Sequence, residues 1–144
     1  MNQYRIKKSI TSELAAYMVE RSVRKANELG IQVNIAIVDE SGHLVHFSRM
    51  DGAPLLSIEI AINKAYTGAA FGLPTHEWHP LIREEPALRE GIVHTPRLVT
   101  FGGGYPITVE GDLIGAIGVS GGSTEQDMAC CLAALEFVET QAPA

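Results

Sequence analysis

The sequence predicts an α/β (α+β) fold, with a mainly antiparallel sheet of about five strands flanked by helices. Helical hydrophobic periodicity appears near both ends and in the middle of the chain, and β-branched runs joined by glycine-containing turns lie between these segments. No internal repeat appears, and 144 residues fit one domain, 1–144. A chain of this length buries about 70% of the surface that its unfolded form exposes, so folding should need no metal or disulfide.

Three helices are predicted. They cover residues 11–29, 54–71 and 124–140. In the first, apolar residues recur at spacings of three and four, Thr11 or Ser12 can cap the start, and Gly30 can end the helix. Pro54 suits the first turn of the second helix, where its missing N–H is not needed. The pattern indicates amphipathic helices laid on a common core.

Five strands are predicted. They cover residues 31–38, 43–50, 97–101, 107–110 and 113–119. The first two form a hairpin around residues 39–42, and Gly111-Asp112 supplies a second tight turn. Residues 113–119 are apolar on both faces, which is typical of a central strand. Four prolines interrupt residues 72–96, so we expect a loop there with one or two short helical turns.

The charge, the hydropathy and the cysteines of the chain indicate which partners and which compartment to expect. The formal charge is −6, and no Lys/Arg run is longer than the two residues of Lys7-Lys8, which argues against a nucleic-acid partner. The first residues lack the hydrophobic core of a signal peptide, and no apolar run approaches 18 residues, so we expect a cytoplasmic protein without membrane contact. Cys130 and Cys131 are adjacent, so they close no loop, and buried reduced thiols are expected.

Three side chains, two just before the second helix and one within it, are candidates for binding a ligand carboxylate. Arg49 offers a forked guanidinium that matches a carboxylate or phosphate, and Asp51 lies just before the helix. An Arg49–Asp51 pair with Asp51 as the helix cap is the structural alternative. Lys64 lies on an otherwise apolar stripe, where it either reaches solvent along its aliphatic stem or is desolvated as a base or anion partner.

Two glycine loops at strand ends are candidates for supplying backbone donors to an anion. They are Gly103-Gly104 and Ser120-Gly121-Gly122. The second loop leads into the last helix, whose first N–H groups favour negative charge. Turn geometry, with a capping box from Thr124 to Asp127, explains the same residues without a ligand. Neither loop matches a nucleotide-binding fingerprint.

The histidine spacing predicts no metal site. His43 and His46 are three apart on a strand, which places them on opposite faces. His76 and His79 would share one face of a helical turn, but Pro80 shortens that turn and the pattern differs from H-E-x-x-H.

Several motifs, in order along the chain, resemble one known family. Residues 36–71 contain V-D-x-x-G-x-L-x-x-F-x-R-M-D-G-A followed by S-x-x-x-A-x-x-K-A, residues 101–122 contain G-G-x-P-I and G-A-I-G-V-S-G-G, and Q-D follows in residues 123–127. This set is similar to the GlcG/HbpS family, whose domain also occurs at the C-terminal end of PduO-type corrinoid adenosyltransferases. The resemblance covers all but residues 72–96 and the two ends.

The resemblance implies a helix-flanked, mainly antiparallel sheet that assembles as a homo-oligomer, with octamers among the relatives. It implies haem as a candidate cofactor, because some members bind haem and HbpS is associated with haem and iron sensing. In some haem-binding relatives the first helix carries the axial residue, and this chain has Tyr17 and Met18 there and no histidine. The resemblance also links the chain to glycolate, diol or glycerol operons and to an aminomuconate-type deaminase. Since members differ in chemistry, the family does not fix one function.

Three functions remain open. In the first, an oligomeric accessory domain binds a small anionic or tetrapyrrole-like ligand, related to haem or corrinoids, and serves small diol or hydroxy-acid metabolism. Arg49, Asp51 and Lys64 would hold its carboxylates while the glycine loops donate N–H groups. In the second, a deaminase or hydrolase acts on a carboxylated enamine, with Lys64 or Asp51 moving protons. In the third, the domain is a structural or interaction module without a ligand.

Overall fold

The computed structural model describes residues 1–141 and confirms a helix-flanked antiparallel sheet. The helices are α1 Ser12–Leu29, α2 Leu56–Phe71, α3 Trp78–Ile82, α4 Pro86–Ile92 and α5 Thr124–Gln141, with a 3-10 turn at Thr75–Glu77 before α3. The strands are β1 Asn34–Asp39, β2 Leu44–Arg49, β3 Gly104–Val109 and β4 Asp112–Ser120. The short helices α3 and α4 confirm the helical turns predicted between residues 72 and 96.

The sheet has the strand order β2-β1-β4-β3, and all three strand pairs are antiparallel. The position of β4 between β1 and β3 confirms that residues 113–119 form a central strand. The prediction of five strands was wrong, because residues 97–101 are not a strand within the described chain. Arg97 has a φ of 69°, which a strand does not allow, and the Val99 N–H donates to Thr67 Oγ1 instead of a neighbouring strand.

The two faces of the sheet are covered by different helices. Helices α1 and α5 pack on one face, around a core that includes Ile35, Ile37 and Ile117. Helix α2 covers the other face, where the contacting side chains are small; they are Ala36, Val38, Ala61, Ala65, Ala69 and Ala116. Since alternate residues of β1 and β4 point to opposite layers, both strands are buried on both sides.

The ends of α1 confirm the capping predicted from the sequence. Thr11 Oγ1 accepts a hydrogen bond from the Leu14 N–H at 3.1 Å, and Gly30 takes the left-handed conformation with a φ of 69°. By contrast, α2 begins at Leu56 rather than at residue 54, and its N-cap, Leu55, makes no side-chain capping bond.

The small residues between α2 and the sheet allow their backbones to approach closely. A Cβ atom added to Gly118 of β4 would collide with the Ala61 carbonyl oxygen and would lie 2.5 Å from the Ala65 nitrogen. A Cβ atom on Gly68 of α2 would lie 3.2 Å from the Tyr105 carbonyl carbon. The layer spacing on this face is therefore set by main-chain atoms.

The two cysteines are buried in the core under α5, and neither forms a disulfide. The Cys131 Sγ donates to the Gly103 carbonyl oxygen at 3.2 Å. Burial raises the pKa of the Cys130 thiol to about 11, and it raises the pKa of Cys131 further.

We expect both thiols to resist Ellman's reagent at about pH 8 in the folded protein and to react fully in denaturant. Above about pH 9 the unfolded chain releases thiol protons that the folded chain keeps, so each thiol lowers the unfolding free energy by up to about 1.4 kcal/mol per pH unit. Labelling is measured by the absorbance of the released thionitrobenzoate. Fast labelling of the native protein would contradict the burial of these side chains.

In the part of the chain from residue 1 to residue 141, no helix combines the length and the apolar character needed to cross a membrane.

Candidate functional site

Lys64 is the most deeply buried charged side chain among the predicted site residues. It extends from α2 with 1% of its surface exposed, and its Nζ donates to the Val119 carbonyl oxygen at 2.9 Å and to Asp127 Oδ2 at 3.1 Å. Asp127 belongs to α5, which lies on the other face of the sheet. Of the two alternatives predicted for Lys64, the solvent-reaching one is wrong, and the ammonium instead ties the two helical layers together.

The Gly103-Gly104 loop is packed tightly around Lys64. A Cβ atom on Gly103 would lie 2.6 Å from Lys64 Nζ, and one on Gly104 would lie 2.5 Å from the Lys64 carbonyl oxygen. The Gly104 N–H donates to Thr75 Oγ1 at 2.9 Å, while the Gly103 carbonyl oxygen accepts from the Val119 N–H at 2.8 Å. These glycines therefore make room for the lysine. The Gly104 donor predicted for a ligand is already used internally.

The loop before α5 holds a carboxylate of the protein itself. The Gly122 N–H donates to Asp127 Oδ1 at 2.9 Å, and Gly121 has a φ of 142° and packs against the Gln32 backbone. Burial raises the pKa of the Asp127 carboxyl, and the Lys64 ammonium and the Gly122 N–H oppose this shift. An anion arriving at this helix end would have to displace Asp127.

The capping box of α5 is formed by Ser123 and Gln126 rather than by the predicted pair Thr124 and Asp127. The Ser123 N–H donates to Gln126 Oε1 at 2.9 Å, and the Gln126 N–H donates to Ser123 Oγ at 3.2 Å. Both donors are satisfied reciprocally, as in an S-x-x-Q box. This leaves the Asp127 carboxylate free to bind Lys64 and Gly122.

Arg49 and Asp51 lie apart from the Lys64 contacts. Both are exposed, and among residues 1–141 neither forms a hydrogen bond or an ion pair through its side chain. The predicted Arg49–Asp51 pair and the capping role of Asp51 were therefore wrong. Arg49 pairs in register with Asn34, and Asn34 pairs with Ser120, so the three residues form a row across one end of the sheet.

Asn34 is a buried polar residue that the sequence analysis missed. Its Nδ2 donates to the Pro54 carbonyl oxygen at 3.1 Å, which holds the segment before α2 against the sheet. Its Oδ1 has no hydrogen-bond donor in the described part of the chain. An asparagine in a β-branched run was the available signal, because strand interiors are depleted in asparagine.

A groove of about 480 Å³ lies between α1 and α5. The α1 side contributes Arg21, Arg24, Lys25 and Glu28, and the α5 side contributes Ala129, Leu132, Ala133, Glu136, Phe137 and Thr140. Leu132 is 52% exposed, so the groove has an apolar wall in contact with solvent. Its volume falls in the range of ligand pockets.

Arg21 is the cation of this groove that has no carboxylate partner within the described residues. Arg24 pairs with Glu20 at 3.1 Å, and Lys25 pairs with Glu28 at 3.3 Å. The Arg21 guanidinium instead stacks over the Phe137 ring, with its carbon 5.3 Å from the ring centroid. Stacking leaves the N–H edge of a guanidinium available to an anion.

Tyr17 stands one helical turn before Arg21. Its ring centroid lies 5.9 Å from that of Phe137, and half of its surface is exposed. Met18 is fully buried in the core, so it cannot contact a ligand in this groove. The spacing of Arg21, Arg24 and Lys25 places them on one helix face. The groove could not be predicted from this, because the sequence does not show that α1 and α5 are neighbours.

Within residues 1–141, no group of three or more His, Cys, Asp or Glu side chains is placed to hold a metal ion. His43 Nδ1 lies 3.3 Å from Asp39 Oδ2, and the His76 ring packs 5.5 Å from the ring of Tyr105.

Comparison with known proteins gives consistent matches. An uncharacterized 15.0 kDa protein of the dhaT-dhaS intergenic region of Citrobacter freundii is 36% identical over 94% of this chain and 96% of its own length. The corrinoid adenosyltransferase PduO of the same organism is 42% identical over 77% of this chain, which spans only 33% of PduO. A crystal structure of a PduOC–heme complex matches with a TM-score of 0.83 and 36% identity, over 89% of this chain and 94% of that chain. The family model described as haem-degrading protein HbpS-like matches residues 10–136, and the chain therefore belongs to the HbpS-like family.

Proposed function

We propose that this chain is an accessory domain that binds a small anionic or tetrapyrrole-like ligand, with haem as the first candidate, in the α1–α5 groove. The observation that carries the proposal is the combination of an exposed apolar wall at Leu132 with the Arg21 guanidinium, which has no carboxylate partner among residues 1–141. A porphyrin needs both features, because its ring is apolar and its edge carries two carboxylates. Guanidinium groups bind carboxylates through paired, charge-assisted hydrogen bonds.

The residues of the groove fit haem in the following way. Arg21 and Arg24 would hold the propionates, and Leu132 and Phe137 would cover the ring. Tyr17 is the half-exposed side chain beside the groove that carries an oxygen of the kind that ligates haem iron in some proteins. Bound haem would supply an iron centre for exchange of electrons or small ligands.

Two relatives support a tetrapyrrole. The structure of a PduOC–heme complex shows that a relative with 36% identity takes haem, and the family model carries a haem-degrading description. PduO is named as a corrinoid adenosyltransferase, and although this chain spans only 33% of PduO, that name supports a corrinoid as a second tetrapyrrole-like candidate. A domain of this kind would serve small diol or hydroxy-acid metabolism, as the resemblance implies.

The proposal includes homo-oligomeric assembly and a cytoplasmic location. Assembly is supported by the family resemblance. The location is supported by Cys130 and Cys131, which are unpaired thiols and suit a reducing compartment.

The deaminase hypothesis receives less support from the geometry. With Lys64 as the proton carrier it needs that amine near Arg49, but the Lys64 ammonium contacts Val119 and Asp127 and faces the Phe101 ring at 5.2 Å. With Asp51 as the proton carrier, the site would consist of exposed side chains. Arg49 and Asp51 remain predicted ligand contacts at the end of β2.

Haem titration followed by visible absorption tests the proposal. We expect a saturable Soret shift at about one equivalent per chain, and we expect Arg21→Ala to weaken binding about tenfold or more, since a charge-assisted hydrogen bond contributes about 1.5–3 kcal/mol. Tyr17→Phe should change the spectrum of the bound form if the phenol ligates the iron.

Arg5→Ala is the matched control, because Arg5 is an exposed arginine outside the groove. Arg49→Lys is the comparison for the second predicted position, since it keeps the charge and removes the fork. Weakening by Arg49→Lys but not by Arg21→Ala would move the site to the end of β2. No saturable shift for the wild type would exclude haem.

A further inference from the structure

One end of the sheet carries a row of polar residues that the α1–α5 groove does not use. Arg49, Asn34 and Ser120 lie opposite one another on the adjacent strands β2, β1 and β4. Further along β1 and β4, Ala36 and Ala116 pack against α2. Because side chains alternate along a strand, residues two or four positions away point to the same layer. The whole row therefore faces the layer that α2 occupies.

Asn34 is linked directly to the first turn of α2. The Pro54 carbonyl oxygen accepts from Asn34 Nδ2 at 3.1 Å and from the Ser57 N–H at 3.1 Å, so the Asn34 amide and the start of the helix meet at one oxygen. Ser57 and Ser120 are both buried, with 8% and 5% of their surfaces exposed. One amide and two hydroxyl groups are thus gathered between the start of α2 and the end of the sheet.

The Asn34 side chain contains a buried acceptor that lacks a donor. Asn34 is fully buried, and its Oδ1 has no hydrogen-bond partner among residues 1–141. The Pro54 carbonyl oxygen can accept only from the NH2 group of the amide, and this fixes which of the two atoms is the oxygen. A buried acceptor is costly without a donor, so this position calls for a donating group such as a hydroxyl.

The same end of the sheet favours one negative charge. Arg49 is exposed, and within the described part of the chain its side chain forms no hydrogen bond or ion pair. Helix α2 begins after Leu55 without a side-chain cap, and the first N–H groups of a helix favour an anion. Asp51 lies two residues after Arg49 and would repel a second negative charge. A single carboxylate therefore suits this end better than a dianion.

We infer that this end of the sheet is a second binding site, separate from the α1–α5 groove, for a small monocarboxylate that carries a hydroxyl group. Arg49 holds the carboxylate through its forked guanidinium, and the hydroxyl donates to Asn34 Oδ1. Ser57 and Ser120 line the space between these two contacts. The inference goes beyond the haem proposal, because it concerns other residues and another ligand.

Three ligands that differ in one substituent test the inference on the full chain. Lactate, propionate and free alanine carry a hydroxyl, a hydrogen and an ammonium group, respectively, beside the carboxylate. By isothermal titration calorimetry we expect lactate to bind at least about tenfold more tightly than propionate, since propionate leaves Asn34 Oδ1 unpaired. Free alanine should also bind more weakly than lactate, because its ammonium group would be buried beside a neutral amide.

Equal affinities of lactate and propionate would overturn the inference, since Asn34 would then not contact the ligand. Binding of free alanine as tight as that of lactate would overturn the hydroxyl as the recognised group. Absence of lactate binding would overturn the site itself.

Variants of three arginines locate the bound lactate. Arg49→Lys keeps the charge but removes the fork, so it should weaken lactate binding by about tenfold while the preference for lactate over propionate persists. Arg5→Lys is the matched control at an exposed arginine elsewhere in the chain, and it should keep the wild-type affinity. If Arg21→Ala weakens lactate binding and Arg49→Lys does not, the ligand lies in the groove and the inference is wrong. Haem titration is measured separately, so the failure of either proposal leaves the other intact.

Discussion

Lys64→Met is expected to lower the free energy of unfolding by about 3–5 kcal/mol, because it leaves the buried Asp127 carboxylate without its cation. The Val119 carbonyl oxygen also loses the donor that Lys64 supplies. Urea denaturation followed by circular dichroism measures this change. Lys25→Met is the matched control, since Lys25 forms an exposed pair with Glu28 on a helix, and it should cost less than about 1 kcal/mol.

The destabilisation caused by Lys64→Met should also depend on pH. Without Lys64, burial raises the pKa of the Asp127 carboxyl further above its unfolded value, so the folded chain takes up a proton that the unfolded chain does not. The stability deficit of Lys64→Met relative to the wild type should therefore be largest at about pH 7.5 and should shrink towards about pH 4.5. Lys64→Met/Asp127→Leu should recover part of the loss at neutral pH, because no charge stays buried. A deficit independent of pH and unchanged in the double variant would show that the ion pair is not its cause.

Gly118→Ala is expected to cost at least about 3 kcal/mol or to prevent folding. The added methyl group would meet the Ala61 carbonyl oxygen and the Ala65 nitrogen, which are main-chain atoms that no rotamer change can move. The clash is relieved only if α2 shifts away from the sheet. Such a shift would separate the small side chains that pack between α2 and the sheet. Soluble yield and the midpoint of thermal unfolding measure the effect.

Gly91→Ala is the control for Gly118→Ala. Gly91 lies in α4, and a Cβ atom there would meet nothing within 4 Å. Alanine also suits a helix better than glycine, so the change should stay within about 1 kcal/mol of the wild type. Equal effects at the two positions would mean that the close contact between α2 and β4 is not the limiting feature.

Local signals predicted those elements whose limits are set by their own residues. Thr11 and Gly30 mark the ends of α1, and both do so through bonds within a few residues. Residues 97–101 look like a strand by composition, but the conformation of Arg97 depends on Thr67, a partner far away in sequence. Propensity cannot report such a contact, and tertiary contacts override it here.

The candidate site was less predictable, because polar side chains acquire their roles from distant partners. The apolar stripe on α2 marks Lys64 as unusual, but the residues around Asp127 predict a helix cap and not a pair with Lys64. The predicted donors Gly104 and Gly122 do point their N–H groups inward, towards Thr75 and Asp127. The α1–α5 groove required knowledge of which helices are neighbours. Only the three-dimensional structure shows that α1 and α5 pack side by side on one face of the sheet.

The sheet order also determines when the fold can form during synthesis. Strand β1 pairs with β4 at the centre of the sheet, and Asn34 lies opposite Ser120. Most of the chain must therefore leave the ribosome before these two strands can pair. Contacts so distant in sequence slow folding, because loop closure must precede the pairing that rewards it. Until β4 is made, the β1–β2 hairpin exposes the edge of β1 that β4 covers in the folded sheet. Such an unpaired edge pairs readily with other chains. Nascent chains that stall before residue 112 are thus the species in which aggregation competes most with folding.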